Sequence, residues 1–179
     1  MSHSHSHPTA DVSVRPGIES DARAIAAIQI AAWRDSYATL LPASALDALD
    51  VDQVEAGWHQ ALTAPPSGKH RMFTACAGPV VVGFAALAPA PDEESTGEII
   101  ALEVSPAQRG HGHGSRLLSA CADVLKQTNA AAIRTWVMHE DQVRADFLAS
   151  AGMAPTGIVR SLQVADATVT EEAWAALLD

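Results

Sequence analysis

Between an apolar run, Ile99 to Val104, and an amphipathic run, Ser115 to Lys126, the chain carries Ser105-Pro106-Ala107-Gln108-Arg109-Gly110-His111-Gly112-His113-Gly114. Three glycines on alternate positions let the backbone turn tightly and bring its N–H groups to a ligand with no Cβ in the way. The first run reads as a strand and the second as a helix. The helix then aims its unpaired N-terminal amides and positive dipole end into the turn, which favours a phosphate. Arg109 adds a guanidinium suited to phosphate oxygens. The expectation is a pyrophosphate cradle; the alternative is a plain glycine turn. A Walker A loop is excluded because no lysine precedes Ser115. The dinucleotide fingerprint is excluded by the G-x-G-x-G spacing and by Pro106. What remains is R-x-x-G-x-G, carried by Arg109, Gly112 and Gly114.

A chain of 179 residues, 48% apolar with much of that alanine, suits one helix-rich α/β or α+β domain over residues 11–179. Residues 1–10, with His3, His5 and His7 alternating with serine, read as a disordered tail outside the fold. A net charge of −10 argues against a DNA-backbone binder and no nucleic-acid partner is expected. The charge is compatible with a cationic substrate, but it reads first as the ordinary acidic balance of a soluble protein. Cys76 and Cys121 lack metal-ligand or disulfide spacing and read as packed thiols, so no metal site is expected. No stretch is long and apolar enough for a membrane span, and no signal-like apolar region opens the chain. A cytoplasmic protein with no membrane partner is expected, and a homodimer is left open.

Along the chain, Asp11 to Arg15 reads as a first strand and Ile25, Ile28, Ala32 and Trp33 as one helical face. A short helix near Ser44 follows, then a helix from Asp52-x-x-Glu55, which has the form of a capping box. Arg71 to Ala77 and Val80 to Ala88 form a hairpin about Gly78-Pro79. Glu98 to Val104 is the next strand, and the helix after the cradle carries Leu117, Cys121, Val124 and Leu125 on one stripe. Ala132 to Met138 is a strand, and Asp141 begins a helix with Val143, Phe147, Leu148 and Ala151, closed by Gly152. Ile158 to Val164 makes one or two short strands. Thr170 to Leu178 reads as a terminal helix with Trp174, Leu177 and Leu178 inward.

The string Ile99 to Gly114 resembles the acetyl-CoA-binding core of the GNAT superfamily of N-acetyltransferases. Ala32-Trp33-Arg34-Asp35-Ser36-Tyr37 with Leu40-Leu41-Pro42 is similar to the first helical region of small bacterial members. Thr135-Trp136-Val137, Phe147 and Ala151-Gly152-Met153 are similar to the fifth strand and following helix. The likeness covers roughly Val12 to Val164. It implies a mixed, largely antiparallel sheet flanked by helices and acetyl-CoA as cosubstrate. Backbone amides of Arg109, Gly110, His111, Gly112, His113 and Gly114 would hold the CoA pyrophosphate, with the helix from Ser115 behind them. Main-chain groups at Leu102, Glu103 and Val104 would pair with the pantetheine arm as a pseudo-strand. Asp141 stands where an asparagine often contacts that arm, or else simply caps its helix. The fourth and fifth strands would part where the thioester enters, setting Leu102 to Val104 opposite Trp136 to Met138.

The implied reaction is attack by a primary amine, on a small molecule or a peptide, on the acetyl thioester. A lysine-like amine is protonated at neutral pH (reference pKa about 10.4), so a base must take its proton. Glu98 and Glu103 are the candidate catalytic residues, with His139 a third. Glu98 and Glu103 have opposite strand parity, so an unbroken strand cannot aim both at one pocket, whereas a bulge could. A backbone N–H near Val104 would polarise the thioester oxygen. Leu148 follows Phe147 where many members carry a tyrosine that protonates the leaving thiolate. Tyr37, the only tyrosine, reads more readily as packing than as that acid. The loss leaves open a non-catalytic acyl-CoA-binding module.

Overall fold

The computed structural model describes residues 11–179, so the expected His/Ser tail lies outside the described residues. Seven strands form one sheet: β1 (Val12–Pro16), β2 (Arg71–Ala77), β3 (Val80–Pro89), β4 (Thr96–Val104), β5 (Ala132–Met138), β6 (Ala154–Val164) and β7 (Ala167–Leu177). Their order across the sheet is β1-β2-β3-β4-β5-β7-β6. Only β4 and β5 run parallel; every other neighbouring pair is antiparallel. The exception has a cause. A parallel partner needs a crossover, and the segment between β4 and β5 supplies one in α4 (His113–Gln127). The sheet is thus mixed and largely antiparallel, as expected.

The helical stripe of α4 meets one face of the sheet. Leu117, Cys121 and Leu125, one helical turn apart, pack with Phe73, Leu87, Ile99 and Leu102 in the main core. Each fully buried aliphatic side chain there is stabilising by about 1.5–3 kcal/mol relative to exposure. Gly97 is needed on β4 because Leu125 fills the space a Cβ would take. The packed setting pushes the Cys121 thiol up to about 12, where it is inert. On the opposite face, α1 (Ala22–Ser36) and α3 (Val51–Thr63) bring Ile25, Ile28, Trp58 and Leu62 onto Phe84. The short α2 (Ala43–Asp47) links them. Helix α5 (Gln142–Ser150) follows β5 and buries Leu148, while Val143 is 80% exposed. Gly152 closes α5 at φ +88°, the left-handed position anticipated for it.

Three local expectations are corrected. Thr170 to Leu178 is not a helix. The alanines and Leu177 favour one, but β7 inserts between β5 and β6 and satisfies both strand edges, so tertiary pairing overrides propensity. The Asp52-x-x-Glu55 box does not form. Asp50 caps α3 instead, accepting from the N–H groups of Asp52 and Gln53 at 2.8 and 3.1 Å. Asp52 and Glu55 both take a guanidinium N–H of Arg23. The helix behind the cradle starts at His113, earlier than Ser115, with Gly112 in the left-handed region at φ +80° as its N-cap.

Two irregularities position the site. Along the β3–β4 ladder, Ala86 pairs with Ala101 but Leu87 pairs with Ile99, so Ile100 is an extra residue, 55% exposed. This bulge flips the side-chain alternation of everything after it. In addition, β4 and β5 pair only from Thr96↔Ala132 to Ile99↔Thr135. Beyond that point β4 stays with β3 as far as Gly83↔Val104, and β5 stays with β7 as far as Met138↔Glu171. Each strand follows its own long antiparallel partner, and a cleft opens between them.

Candidate active site

Among the described residues, none accepts a hydrogen bond from the main-chain N–H groups of Arg109 through Ser115. Gln108 N–H closes the preceding turn on Ser105 O at 2.8 Å, and Arg116 N–H is the first to bond back into the helix, at Gly112 O. The intervening amides line a cavity of about 340 Å³ with Val104, Phe147 and Arg144. Polar N–H groups left open at a helix mouth are an anion site in waiting. Gly110 and Gly112 sit at φ +81° and +80°, which makes this turn accessible to glycine and strained for other residues.

The side chains of this turn make contacts of their own. Arg109 donates to Asp35 Oδ2 at 2.6 Å and to Ser36 Oγ at 3.1 Å, clipping the end of α1 to the cradle loop. Arg116, which the glycine pattern did not single out, lies over Gly112 and donates to His111 O at 2.8 Å. His113 is 2% exposed and its Nδ1 has no partner. Burial, with Arg116 and His111 nearby, holds its pKa below the usual histidine range.

At the cleft, a second cavity of about 270 Å³ reaches from Trp33, Tyr37 and Leu41 to Trp136, Arg160 and Leu162. Leu102, Glu103, Asp141 and Arg144 line both cavities and form the wall between them. Glu103 is 7% exposed. Arg144 Nη2 donates to both of its oxygens at 3.1 Å, and Trp33 Nε1 donates to Oε1 at 3.3 Å. Burial pushes the Glu103 pKa above the ordinary carboxylate range, and the nearby Arg144 charge opposes it without reversing the direction. Arg144 Nη1 reaches across to Leu102 O at 2.7 Å. Burial works against the charge on Arg144, but Glu103, Tyr37 and Asp141 outweigh it. Asp141 caps α5 through Arg144 N–H at 3.1 Å. Tyr37 is pushed up to about 12, first by burial and then by the Glu103 charge.

Glu98 lines the same cavity as Glu103 because of the Ile100 bulge. Its Oε2 is already engaged: Arg134 donates from Nε at 2.9 Å and Nη2 at 2.5 Å, and Trp136 Nε1 donates at 3.2 Å. Arg134 is in turn wrapped by Asp92 and Glu93 of the β3–β4 loop. Arg160 stacks over Trp136 at 4.1 Å from the ring centroid and pairs with Glu171. The structure therefore brings Glu98, Glu103, Leu102, Asp141 and the cradle glycines together around one cleft. His139 lies outside both cavities and ties β5 to β7 through its N–H on Thr170 O. Sequence reading missed Arg144. Nothing in its spacing separates it from a surface arginine on a helix.

The sequence matches the model of the acetyltransferase (GNAT) family over residues 27–153, and the chain belongs to that family. Solved structures share the fold. PaiA N-acetyltransferase from Thermoplasma acidophilum, in complex with coenzyme A, is 14% identical, with 90% of this chain and 98% of that one covered and a TM-score of 0.71. A GCN5-related N-acetyltransferase from Rhodopseudomonas palustris is 21% identical, with 93% and 95% covered and a TM-score of 0.74. YncA from Salmonella typhimurium, solved with its cofactor acetyl-CoA, is 18% identical, with 94% of each chain covered and a TM-score of 0.66. No curated protein matches the sequence. No helix among the described residues is long and apolar enough to cross a membrane.

Proposed function

We propose that the protein is an acetyl-CoA-dependent N-acetyltransferase whose general base is Glu103. One observation carries the reading: the open amides of Arg109 to Ser115 end beside a buried carboxylate at the point where β4 and β5 part. The residues fit the cofactor, since a row of unpaired N–H groups at a helix mouth suits a pyrophosphate and the exposed edge of β4 suits an extended amide chain. Acetyl-CoA supplies the activated acyl group. The acceptor amine enters the cavity between Trp33 and Trp136. Its ammonium would give one proton to a Glu103 oxygen, the freed nitrogen would bond to the acetyl carbon, and the carbon–sulfur bond would break to release thiolate as the second nitrogen proton passes to water. A carboxylate made more basic by burial is a better acceptor for that proton.

Glu98 serves here as an anchor for Arg134 and Trp136, and Glu103 keeps the base role. Tyr37 keeps its proton. With a pKa of about 12 it would have to protonate a thiolate whose conjugate acid lies near about 8.5, a transfer uphill by about 5 kcal/mol. It can still donate a hydrogen bond in the site. The thiolate is a tolerable leaving group without an acid. Glu98, Glu103, Asp141 and Glu171 line the acceptor cavity together with Arg144 and Arg160, and Glu98, Glu103 and Glu171 are each paired with an arginine.

Thiol release from acetyl-CoA across a panel of polyamines, amino acids, aminoglycosides and lysine peptides tests the reading. A second reading, a non-catalytic acyl-CoA-binding module, is favoured by Leu148 at the position where the resemblance places a tyrosine. CoA binding with no thiol release from any amine would select the module.

A further inference from the structure

We infer that Arg144 is a positioning residue that trades places with the cofactor: binding of CoA pulls its guanidinium off Leu102 O and Glu103, and only then is the base free to accept a proton. The inference rests on the acetyl-CoA reading above, and it concerns what the chain does before the cofactor arrives.

Arg144 touches both halves of the proposed chemistry. Its Nη1 holds Leu102 O, on the stretch of β4 that has left its β5 partner and whose main-chain groups an extended amide chain would need. Its Nη2 spans both oxygens of Glu103. The guanidinium lines the cofactor cavity and the acceptor cavity alike, so it stands in the passage between them. A pantetheine amide cannot donate to Leu102 O along the hydrogen-bond direction Arg144 occupies without displacing it. A carboxylate with both oxygens on a guanidinium is also a poor proton acceptor, because protonation would forfeit charge-assisted bonds. Cofactor entry and release of the base are therefore one motion.

This coupling has a sign. Around Glu103 stand Arg144 of α5, Asp141 at the N-cap of that helix, Tyr37 just past α1, the Trp33 N–H of α1, and Arg109 from the cradle loop. From β3 its neighbour is Phe84. Arg144 is the cation in direct contact, so removing it raises the proton affinity of Glu103 further. Binding of CoA must then take up protons, and by linkage its affinity must rise as pH falls.

The experiment is calorimetric titration of the full chain with CoA, in two buffers of different ionisation enthalpy, from mildly acidic to neutral pH. Wild type should take up a fraction of a proton on binding. Arg144→Met should lose that uptake and bind CoA about tenfold more tightly, since no charge-assisted bonds are broken on entry. Glu103→Gln, which keeps the shape of the site, should also lose the uptake and carries the test if Arg144→Met does not fold. Arg144→Lys should retain part of it. Contributions from the cofactor's phosphates are common to all variants and cancel in the comparison. Equal proton uptake in wild type and either Glu103→Gln or Arg144→Met would overturn the inference while leaving CoA binding intact. Absence of CoA binding by wild type would instead remove the cofactor reading beneath it.

Discussion

Glu98 and Glu103 stand an odd number of residues apart on one strand and yet line the same cavity, because Ile100 is squeezed out of the β3–β4 ladder between them. The bulge gives the two carboxylates a common space but different company. Glu98 is tied by Arg134 and Trp136, and Glu103 by Arg144 and Trp33. Their chemistry differs accordingly.

Glu103→Gln should lower kcat by about 10²–10⁴-fold, the usual contribution of a positioned general base. In wild type, activity should fall as pH drops through the Glu103 pKa, and burial sets that inflection above the ordinary carboxylate value. Steady-state rates across pH at saturating acetyl-CoA check both. An acid limb unchanged in Glu103→Gln would assign the base elsewhere.

Arg134→Met should destabilise the fold by about 3–5 kcal/mol, because it leaves the buried Glu98 carboxylate without its cation. Glu98→Gln should cost less, since the amide oxygen still accepts from Arg134 and Trp136. The Arg134 hydrogen bond also holds Asp92 below the usual carboxylate range. Such a group stabilises the fold above its unfolded pKa, and the effect is lost as pH falls through the folded one. Urea unfolding should therefore show a shallower acid-side loss in Arg134→Met than in wild type.

Thr74 is fully buried on β2 and its hydroxyl has no partner. Thr74→Val keeps the branched shape and removes the orphaned group, so stability should rise by about 1 kcal/mol. A lower melting temperature in this variant would mean that the hydroxyl finds a partner in solution.

Gly112→Val places a β-branched residue at φ +80° and directs its Cβ toward the Arg116 guanidinium at 3.2 Å. The turn must shift to relieve it, and the row of amides shifts too. CoA affinity should fall by at least about tenfold, of the order that backbone strain of 1–3 kcal/mol would give. Unchanged affinity by calorimetry would count heavily against the cradle.

Local chemistry made much of this protein legible. Alternate glycines between an apolar strand and an amphipathic stripe announced a tight turn opening a helix, and Gly152 announced the end of α5. The β2–β3 hairpin followed from Gly78-Pro79. These signals are short-range: a positive φ, a helix face or a tight turn is decided by residues that adjoin one another in the chain. The Ile100 bulge was not visible in this way, because Glu98-Ile99-Ile100-Ala101 reads as ordinary strand until β3 sets its register.

The amino-acid string alone determined the order of most elements, the apolar faces that build the core, and the run of small residues able to offer bare amides to an anion. Tertiary structure decided the rest. It turned an alanine-rich terminal segment into β7, drew Arg109 onto Asp35, and seated Arg144 between Leu102 O and Glu103. The reason is the same in each case. The partners lie far apart along the chain, and a charge or an open strand edge is satisfied by whatever the fold brings within hydrogen-bond reach.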